Sequence, residues 1–231
     1  MPNHRTLVIT GASSGIGAAT AKLAAGKGWN VVVAARSTDR IEALAAEIGT
    51  ENAMAVTCDV TDWDSVKNLA DATIDRFGSI DAMFANAGFG GPGGFTNSTP
   101  EAWRDMVLTN VYGAALTVRA SLDHLRTSNG HLLLTGSVAG RKAIPGSFYS
   151  CTKWAVTAMG EAVRGEIAGS GVRVTLIEPG IVATPFWDNG KGPLESPLTE
   201  DDVAGAVLWA LEQPPHVDIN EILMRPAAQP V

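Results

Sequence analysis

The sequence contains little cysteine and few aromatic residues, and it has no excess of positive charge. Its 231 residues include two cysteines, Cys58 and Cys151, which are too few for a disulfide framework and too isolated for a zinc site. Seventeen Lys and Arg against 24 Asp and Glu give a net charge of -7, which argues against nucleic acid or an anionic membrane as the main partner. No hydrophobic run has the length of a transmembrane helix, and the N-terminus has no signal-peptide core, so we predict a cytoplasmic protein.

Hydrophobic residues make up 45% of the chain, which is enough for a large core and excludes disorder of the whole chain. Short β-branched runs alternate with segments of helical periodicity, as in a parallel sheet covered by helices on both faces. The runs predict seven strands, at residues 7–10, 31–35, 53–57, 82–85, 131–135, 172–177 and 221–224. The periodic segments predict six helices, at residues 17–27, 41–48, 65–77, 101–125, 149–168 and 201–211. The alternation predicts one α/β domain over residues 1–231 with a doubly wound sheet, the Rossmann fold.

Two irregular segments follow predicted strands. Residues 88–94 (GFGGPGG) follow the fourth strand, and residues 185–198, rich in Gly and Pro, follow the sixth. Open α/β sheets bind ligands beyond the carboxyl ends of their strands. We therefore predict a cofactor rim at the first segment and a substrate lid over about 185–200, with ordinary flexible loops as the alternative.

A glycine-rich turn joins the first strand to the first helix at residues 10–17 (TGASSGIG). Glycines let the backbone approach a pyrophosphate closely, and the start of a helix offers unpaired N–H groups. The turn predicts a dinucleotide site, although a tight strand-to-helix turn alone has the same appearance.

The end of the second strand indicates which dinucleotide. An acidic residue there would accept the ribose 2′-hydroxyl of NAD, but this strand ends at Ala35 and is followed by Arg36. A guanidinium pairs well with a 2′-phosphate. We predict NADP(H), with NAD(H) possible and a solvated loop arginine as the alternative.

Tyr149 and Lys153 are spaced i,i+4 in a predicted helix, so they share one face. An ammonium near a phenol favours the phenolate and is expected to lower the pKa of Tyr149 towards neutrality. Such a tyrosine can exchange the proton of a carbonyl/alcohol pair. A packed tyrosine beside a surface lysine is the alternative.

Taken together, the motifs resemble those of the short-chain dehydrogenase/reductase family. The resemblance covers almost the whole chain, and the matching motifs keep the family's order and spacing. They are TGxxxGxG at 10–17, Asp59-Val60, Asn86-Ala87-Gly88, Asn110, Ser137, Tyr149-xxx-Lys153 and PGIVAT at 179–184.

The resemblance implies four catalytic residues. Tyr149 would be the general acid/base, and Lys153 would tune it and bind the nicotinamide ribose. Ser137 would hydrogen-bond the substrate carbonyl, with a strand-end cap as its alternative role. Asn110 would bind a water that extends the proton relay beyond Lys153.

The resemblance also implies a set of cofactor contacts. Ser13 and Ile16 would contact the pyrophosphate, Asp59 the adenine amino group and Thr184 the nicotinamide carboxamide, while Asn86 would anchor the central strands. The full predicted set is Gly11, Ser13, Ser14, Gly15, Ile16, Gly17, Arg36, Asp59, Val60, Asn86, Ala87, Gly88, Tyr149, Lys153, Pro179, Gly180, Val182 and Thr184.

These features favour an NADP(H)-dependent oxidoreductase that interconverts a small carbonyl compound and a secondary alcohol. The alternatives are an NADP(H) sensor without turnover and a lyase or epimerase that uses the cofactor transiently. The four histidines lack metal-ligand spacing, so no metal is expected. The family implies a homodimer or homotetramer formed through helices 101–125 and 149–168. Five aromatic residues predict an apolar pocket, or else an aromatic hinge: Phe89, Phe95, Phe148, Phe186 and Trp187.

Overall fold

The computed structural model of the protein describes residues 5–91, 94–187, 192 and 194–230. Within them, seven strands form one parallel sheet in the order β3-β2-β1-β4-β5-β6-β7. The predicted fold class, a doubly wound seven-stranded parallel sheet, is therefore confirmed. The strands are β1 (Thr6–Thr10), β2 (Asn30–Ala35), β3 (Ala53–Thr57), β4 (Ala82–Ala85), β5 (His131–Thr135), β6 (Arg173–Pro179) and β7 (Glu221–Met224).

Helices cover both faces of this sheet. They are α1 (Gly15–Gly26), α2 (Thr38–Ile48), α3 (Trp63–Phe77), α4 (Pro100–Val107), α5 (Ala114–Ser128), α6 (Phe148–Glu166) and α7 (Glu200–Leu211). Helices α1, α2 and α7 pack on one face, and α3, α5 and α6 pack on the other. None of the helices in the described ranges is both long and apolar enough to cross a membrane.

The strands are apolar along their length because each face of the sheet has its own core. In β1, Leu7 and Ile9 belong to one core and Val8 to the other, and all three are fully buried. Alternate residues of a strand point to opposite faces, so burial on both sides requires a continuous apolar run. This is the pattern that the sequence showed.

One predicted helix is interrupted. The sequence predicts a single helix over 101–125, but α4 and α5 are separated by a six-residue π-helical segment, Leu108–Gly113. A π-turn inserts one residue into the helical ladder and changes the direction of the side chains around it. The buried Asn110 lies in this segment, and its contacts with a neighbouring loop help to offset the cost of the irregular turn. Hydrophobic periodicity cannot reveal such an insertion.

Candidate active site

The predicted site residues gather at the carboxyl ends of β1, β4, β5 and β6, and Asn86 joins three of these ends. Its Nδ2 donates to the carbonyl of Thr10 at 3.0 Å, and its Oδ1 accepts from Thr135 Oγ1 at 3.0 Å. The hydroxyl of Thr10 accepts in turn from the backbone N–H of Asn86 and of Ala87, at 3.1 and 3.2 Å. This network fixes the edge of the sheet on which the site is built.

The glycine-rich turn packs directly against this edge. Gly11 has φ +67°, and a Cβ there would lie 2.7 Å from the Cα of Ala87. A Cβ on Gly17 would lie 2.7 Å from the carbonyl oxygen of Gly11 and 2.8 Å from Asn86 Nδ2. Gly15, with φ +62°, is also in the left-handed region. A side chain on Gly11 or Gly17 would overlap the backbone, and a side chain on Gly15 would be strained by its positive φ.

The turn ends at an uncapped helix N-terminus. Ser14 is the N-cap of α1 but makes no side-chain capping hydrogen bond, and the first turn holds no acidic residue. Ser13 and Ile16 flank this point, and both are partly accessible. Backbone N–H groups and the positive end of the helix dipole therefore face outward, which suits a pyrophosphate. The residues fit the phosphate portion of a dinucleotide.

The residues predicted for the adenosine end follow β2 and β3. Arg36 is exposed just after β2, and its positive charge contributes to holding the pKa of Asp59 below its usual range. The largest cause of that lowered pKa is the Thr61 N–H, which donates to Asp59 Oδ1 at 2.9 Å. Val60 is buried against Gly113. Within the described ranges the Arg36 side chain has no ion pair or hydrogen bond, so its guanidinium is available to an anion.

Lys153 is a residue of α6 and lies between the end of β5 and Tyr149. Its Nζ donates to the carbonyl of Thr135 at 2.6 Å and lies 5.6 Å from the centroid of the Tyr149 ring. The side chain is buried, and this burial lowers the pKa of Lys153 to about 8. The lysine is thus mostly protonated at neutral pH and is held close to the tyrosine.

The pKa of Tyr149 differs from the sequence-based expectation. Burial raises it above its ordinary value, and a hydrogen bond with Ser137 opposes this rise. The prediction that neighbouring charge lowers the pKa is therefore wrong in direction, because desolvation outweighs the favourable interactions of the phenolate. At neutral pH Tyr149 is a phenol, which is the form that donates a proton.

Ser137 follows β5 and is held on both sides. Its Oγ donates to the carbonyl of Pro179 at 3.3 Å and accepts from the N–H of Ala139 at 3.1 Å. The second contact caps a short 3-10 turn, Val138–Gly140. Ser137 therefore caps the turn at the end of β5, which agrees with its alternative role as a strand-end cap, and its hydroxyl acts to lower the pKa of Tyr149.

Asn110 braces the loop that follows β4. Its Oδ1 accepts from the N–H of Phe89, and its Nδ2 donates to the carbonyl of Phe89, both at 2.9 Å. Nδ2 also donates to Thr152 Oγ1 at 3.1 Å. A Cβ on Gly88 would lie 3.1 Å from Asn110 Oδ1 and 3.7 Å from Lys153 Nζ, so the loop passes close to the lysine. Binding of a relay water by Asn110 stays a prediction.

The segment after β6 returns to the glycine-rich turn. Gly180 donates its N–H to the carbonyl of Met224 at 2.7 Å, and the buried Val182 pairs with Leu198. Thr184 is also buried, and a Cβ on Gly15 would lie 3.6 Å from it. Residues that are distant in sequence are thus neighbours beside the start of α1.

The aromatic residues form two clusters rather than the single predicted pocket. Phe186 contacts the Tyr149 ring edge-to-face at 5.5 Å and Trp187 at 5.3 Å, and a Cβ on Gly90 would clash with it. Phe95 and Phe148 pack instead with Trp103, with ring centroids 5.7 and 5.2 Å from it, and no sequence pattern predicts this pairing. Helix and turn geometry separates Phe148 from Phe186, although Phe148 adjoins Tyr149 in sequence.

The structure describes the two predicted loops in part. Residues 92–93 of the glycine-rich segment 88–94, and residues 188–191 and 193 of the lid over about 185–200, lie outside the described residues. In the parts that are described, no group of three His, Cys, Asp or Glu is arranged to hold a metal ion.

Known proteins share both the sequence pattern and the fold. A model of the short chain dehydrogenase family matches residues 5–192. The chain belongs to this family. An uncharacterised oxidoreductase of Staphylococcus haemolyticus is 36% identical to it over 226 residues, which cover 97% of this chain and 98% of the relative.

Solved short-chain dehydrogenases have the same fold but bind different cofactors. An alcohol dehydrogenase of Thermococcus sibiricus, complexed with 5-hydroxy-NADP, is 32% identical, with a TM-score of 0.91 over 99% of both chains. A 3-ketoacyl-(acyl-carrier-protein) reductase of Brucella melitensis, complexed with NADH, is 27% identical, with a TM-score of 0.87 over 96% of both chains. This chain is thus an oxidoreductase whose fold binds nicotinamide cofactors.

Proposed function

We propose that the protein is an NADP(H)-dependent oxidoreductase that interconverts a carbonyl compound and a secondary alcohol, with Tyr149 as general acid/base. The observation that carries this proposal is the arrangement around Tyr149. Tyr149 is partly buried, the Ser137 hydroxyl acts to lower its pKa, and its ring centroid lies 5.6 Å from the Lys153 ammonium on the neighbouring helical turn. The uncapped start of α1 lies at the same edge of the sheet.

The chain's own residues supply binding and proton transfer. A carbonyl oxygen that enters beside Ser137 and Tyr149 can accept one hydrogen bond from each hydroxyl, once Ser137 turns its hydrogen away from the carbonyl of Pro179. Because burial keeps Tyr149 protonated at neutral pH, the phenol can give its proton to that oxygen. The Lys153 ammonium then stabilises the phenolate. The dinucleotide, when bound, supplies or accepts the hydride.

Turnover separates this proposal from an NADP(H) sensor. We would follow nicotinamide absorbance with NADPH and NADH in parallel, against a panel of ketones, aldehydes and 3-oxo acids. Oxidation of NADPH by members of the panel supports the proposal. Binding of NADPH without turnover of any compound would favour the sensor.

Arg36 supports the preference for NADP(H), because its guanidinium is exposed and available beyond β2. We expect Arg36→Ala to raise KM for NADPH by about 10- to 100-fold, because it removes a charge-assisted contact with the 2′-phosphate. KM for NADH should stay unchanged, because NADH lacks that phosphate. Steady-state kinetics with both cofactors measures this. Arg40→Ala, at an exposed arginine of α2, is the matched control. Equal effects of Arg36→Ala on both cofactors would refute a 2′-phosphate contact.

The position of Phe186 favours a substrate that carries an apolar group next to its reacting carbonyl. The Phe186 ring packs between Gly90 and Tyr149 and would contact such a group. We expect Phe186→Ala to raise kcat/KM for bulky aryl ketones relative to small ketones by about tenfold, since it opens space beside the tyrosine. Phe95→Ala, in the other aromatic cluster, is the control. The same change for small and bulky ketones would argue against a contact between Phe186 and the substrate.

A further inference from the structure

A buried ion pair lies beneath the turn that carries Ser137. Nε of Arg141 donates to both carboxylate oxygens of Glu178, at 2.8 and 2.9 Å. The Glu178 side chain is completely buried, and that of Arg141 is 26% exposed. Thr157 Oγ1 also donates to Glu178, at 3.2 Å, and Nη2 of Arg141 pairs with Glu221 at the start of β7. The pair therefore joins the turn to β6, β7 and α6.

The carboxylate of this pair supports both chain segments that hold Ser137. Gly136 immediately precedes Ser137, and a Cβ on it would lie 2.8 Å from Glu178 Cγ. Pro179 follows Glu178, and its carbonyl accepts the hydrogen bond from Ser137 Oγ. The turn itself is closed by the N–H of Gly140, which donates to the carbonyl of Ser137 at 2.8 Å. A shift of Glu178 would thus move the residues on both sides of the Ser137 hydroxyl.

Arg141 is what keeps this carboxylate in place. Burial raises the pKa of Glu178, while the hydrogen bonds and charge of Arg141 lower it. Without the guanidinium, a fully buried carboxyl has a strong tendency to take up a proton or to move towards water. In both cases it loses the two hydrogen bonds that fix its orientation.

We propose that Arg141 is a positioning residue for the reaction, because it fixes the place of the Ser137 hydroxyl through Glu178 and Pro179. This inference rests on the proposed function for its consequences in catalysis. The geometric part concerns the place of the Ser137 hydroxyl, which is set by its hydrogen bonds with Pro179 and Ala139, and does not depend on turnover.

The first test reports on the surroundings of the Tyr149 hydroxyl, which Ser137 influences. The chain has two tyrosines, so protein labelled with 13C at the tyrosine Cζ gives two resonances, and Tyr112→Phe assigns them. We expect Arg141→Met and Ser137→Ala to displace the Tyr149 resonance in the same direction. In the Ser137→Ala background, Arg141→Met should cause no further displacement. A Tyr149 resonance at its wild-type position in Arg141→Met would overturn the proposal.

The matched control is Arg164→Met. Arg164 also links β6 to the chain around β7, because it donates to the carbonyls of Val174 and Asn220. Its side chain is 23% exposed, but it lies near the start of β6, away from Ser137. We expect this variant to leave the Tyr149 resonance unchanged, and an equal displacement would show a general structural effect instead of positioning.

The second test uses activity and guards against misfolding. Arg141→Met leaves a buried unpaired carboxyl, whereas Arg141→Met/Glu178→Gln removes that charge. We expect the double variant to fold, to keep the wild-type KM for the dinucleotide, and to lose about 10- to 100-fold in kcat, since small misplacements have such effects. A wild-type kcat in the double variant would overturn the proposal. Absence of carbonyl reduction by the wild type would refute the proposed function instead, while the tyrosine resonances could still be compared.

Discussion

Tyr149→Phe is expected to lower kcat for carbonyl reduction by about 10²- to 10⁴-fold, the usual contribution of general acid catalysis. The substitution removes the proton donor but keeps the ring that packs edge-to-face on Phe186. The glycine-rich turn and the start of α1 are untouched, so NADPH binding should persist. Steady-state kinetics together with NADPH fluorescence titration measures both effects.

The pH dependence of alcohol oxidation provides a control for Tyr149→Phe. Burial raises the pKa of Tyr149, so reduction can use the phenol at neutral pH, whereas alcohol oxidation needs the phenolate and should become faster as pH rises. Residual oxidation by Tyr149→Phe should lack that rise. Wild-type kcat in Tyr149→Phe would rule out the assigned acid/base. Loss of NADPH binding together with turnover would show that the variant had damaged the site.

His131 is expected to make the protein sensitive to acid. Its imidazole is buried at the start of β5, where burial lowers the pKa of His131 to about 3. Nε2 is 2.7 Å from Thr175 Oγ1, and the hydroxyl of Thr175 donates to the carbonyl of Ile219, so Nε2 carries the hydrogen. Within the described residues Nδ1 is buried without a partner, and no group is placed to stabilise a second proton.

Acid destabilises the folded protein at His131 because the unfolded chain binds a proton there more readily. Below about pH 6.5 the unfolded chain protonates this histidine, but the folded protein does not until the pH approaches 3. The free energy of unfolding should therefore fall by about 1.6 kcal/mol between pH 6.5 and 5 because of His131 alone. His131→Gln should remove that part of the pH dependence.

Urea unfolding at the two pH values tests this prediction. His216→Gln, at an exposed histidine, is the control and should unfold like the wild type at each pH. The same loss of stability in His131→Gln as in the wild type would mean that other groups cause the acid sensitivity.

The strands of the sheet could be predicted because each of them is a continuous apolar run in the sequence. Buried parallel strands need continuous apolar runs, and each of the seven runs is a strand of the sheet. The boundaries differed slightly; for example, the predicted strand 172–177 is Arg173–Pro179. The interruption of the helix at Leu108–Gly113 was missed, because one inserted residue leaves the apolar pattern on either side intact.

The site was predictable where a residue type is required by local geometry. Gly11 and Gly17 are such positions, because a side chain on either would overlap the backbone. The pKa of Tyr149 was predicted in the wrong direction, because spacing shows which charge is near but not how deeply both groups are buried. The role of Arg141 was also missed, since its partner Glu178 lies 37 residues further along the chain.

The sequence by itself determined the order of strands and helices, the glycine-rich turn and the positions of Tyr149 and Lys153, because these depend on periodicity, backbone freedom and local spacing. Only the tertiary structure decided which distant groups meet. It joined Asn86 to the ends of β1 and β5, placed Phe186 on Tyr149, and buried Glu178 beneath Ser137. Burial and hydrogen bonding between distant segments set the protonation and orientation of the proposed catalytic groups, and neither can be read from spacing along the chain.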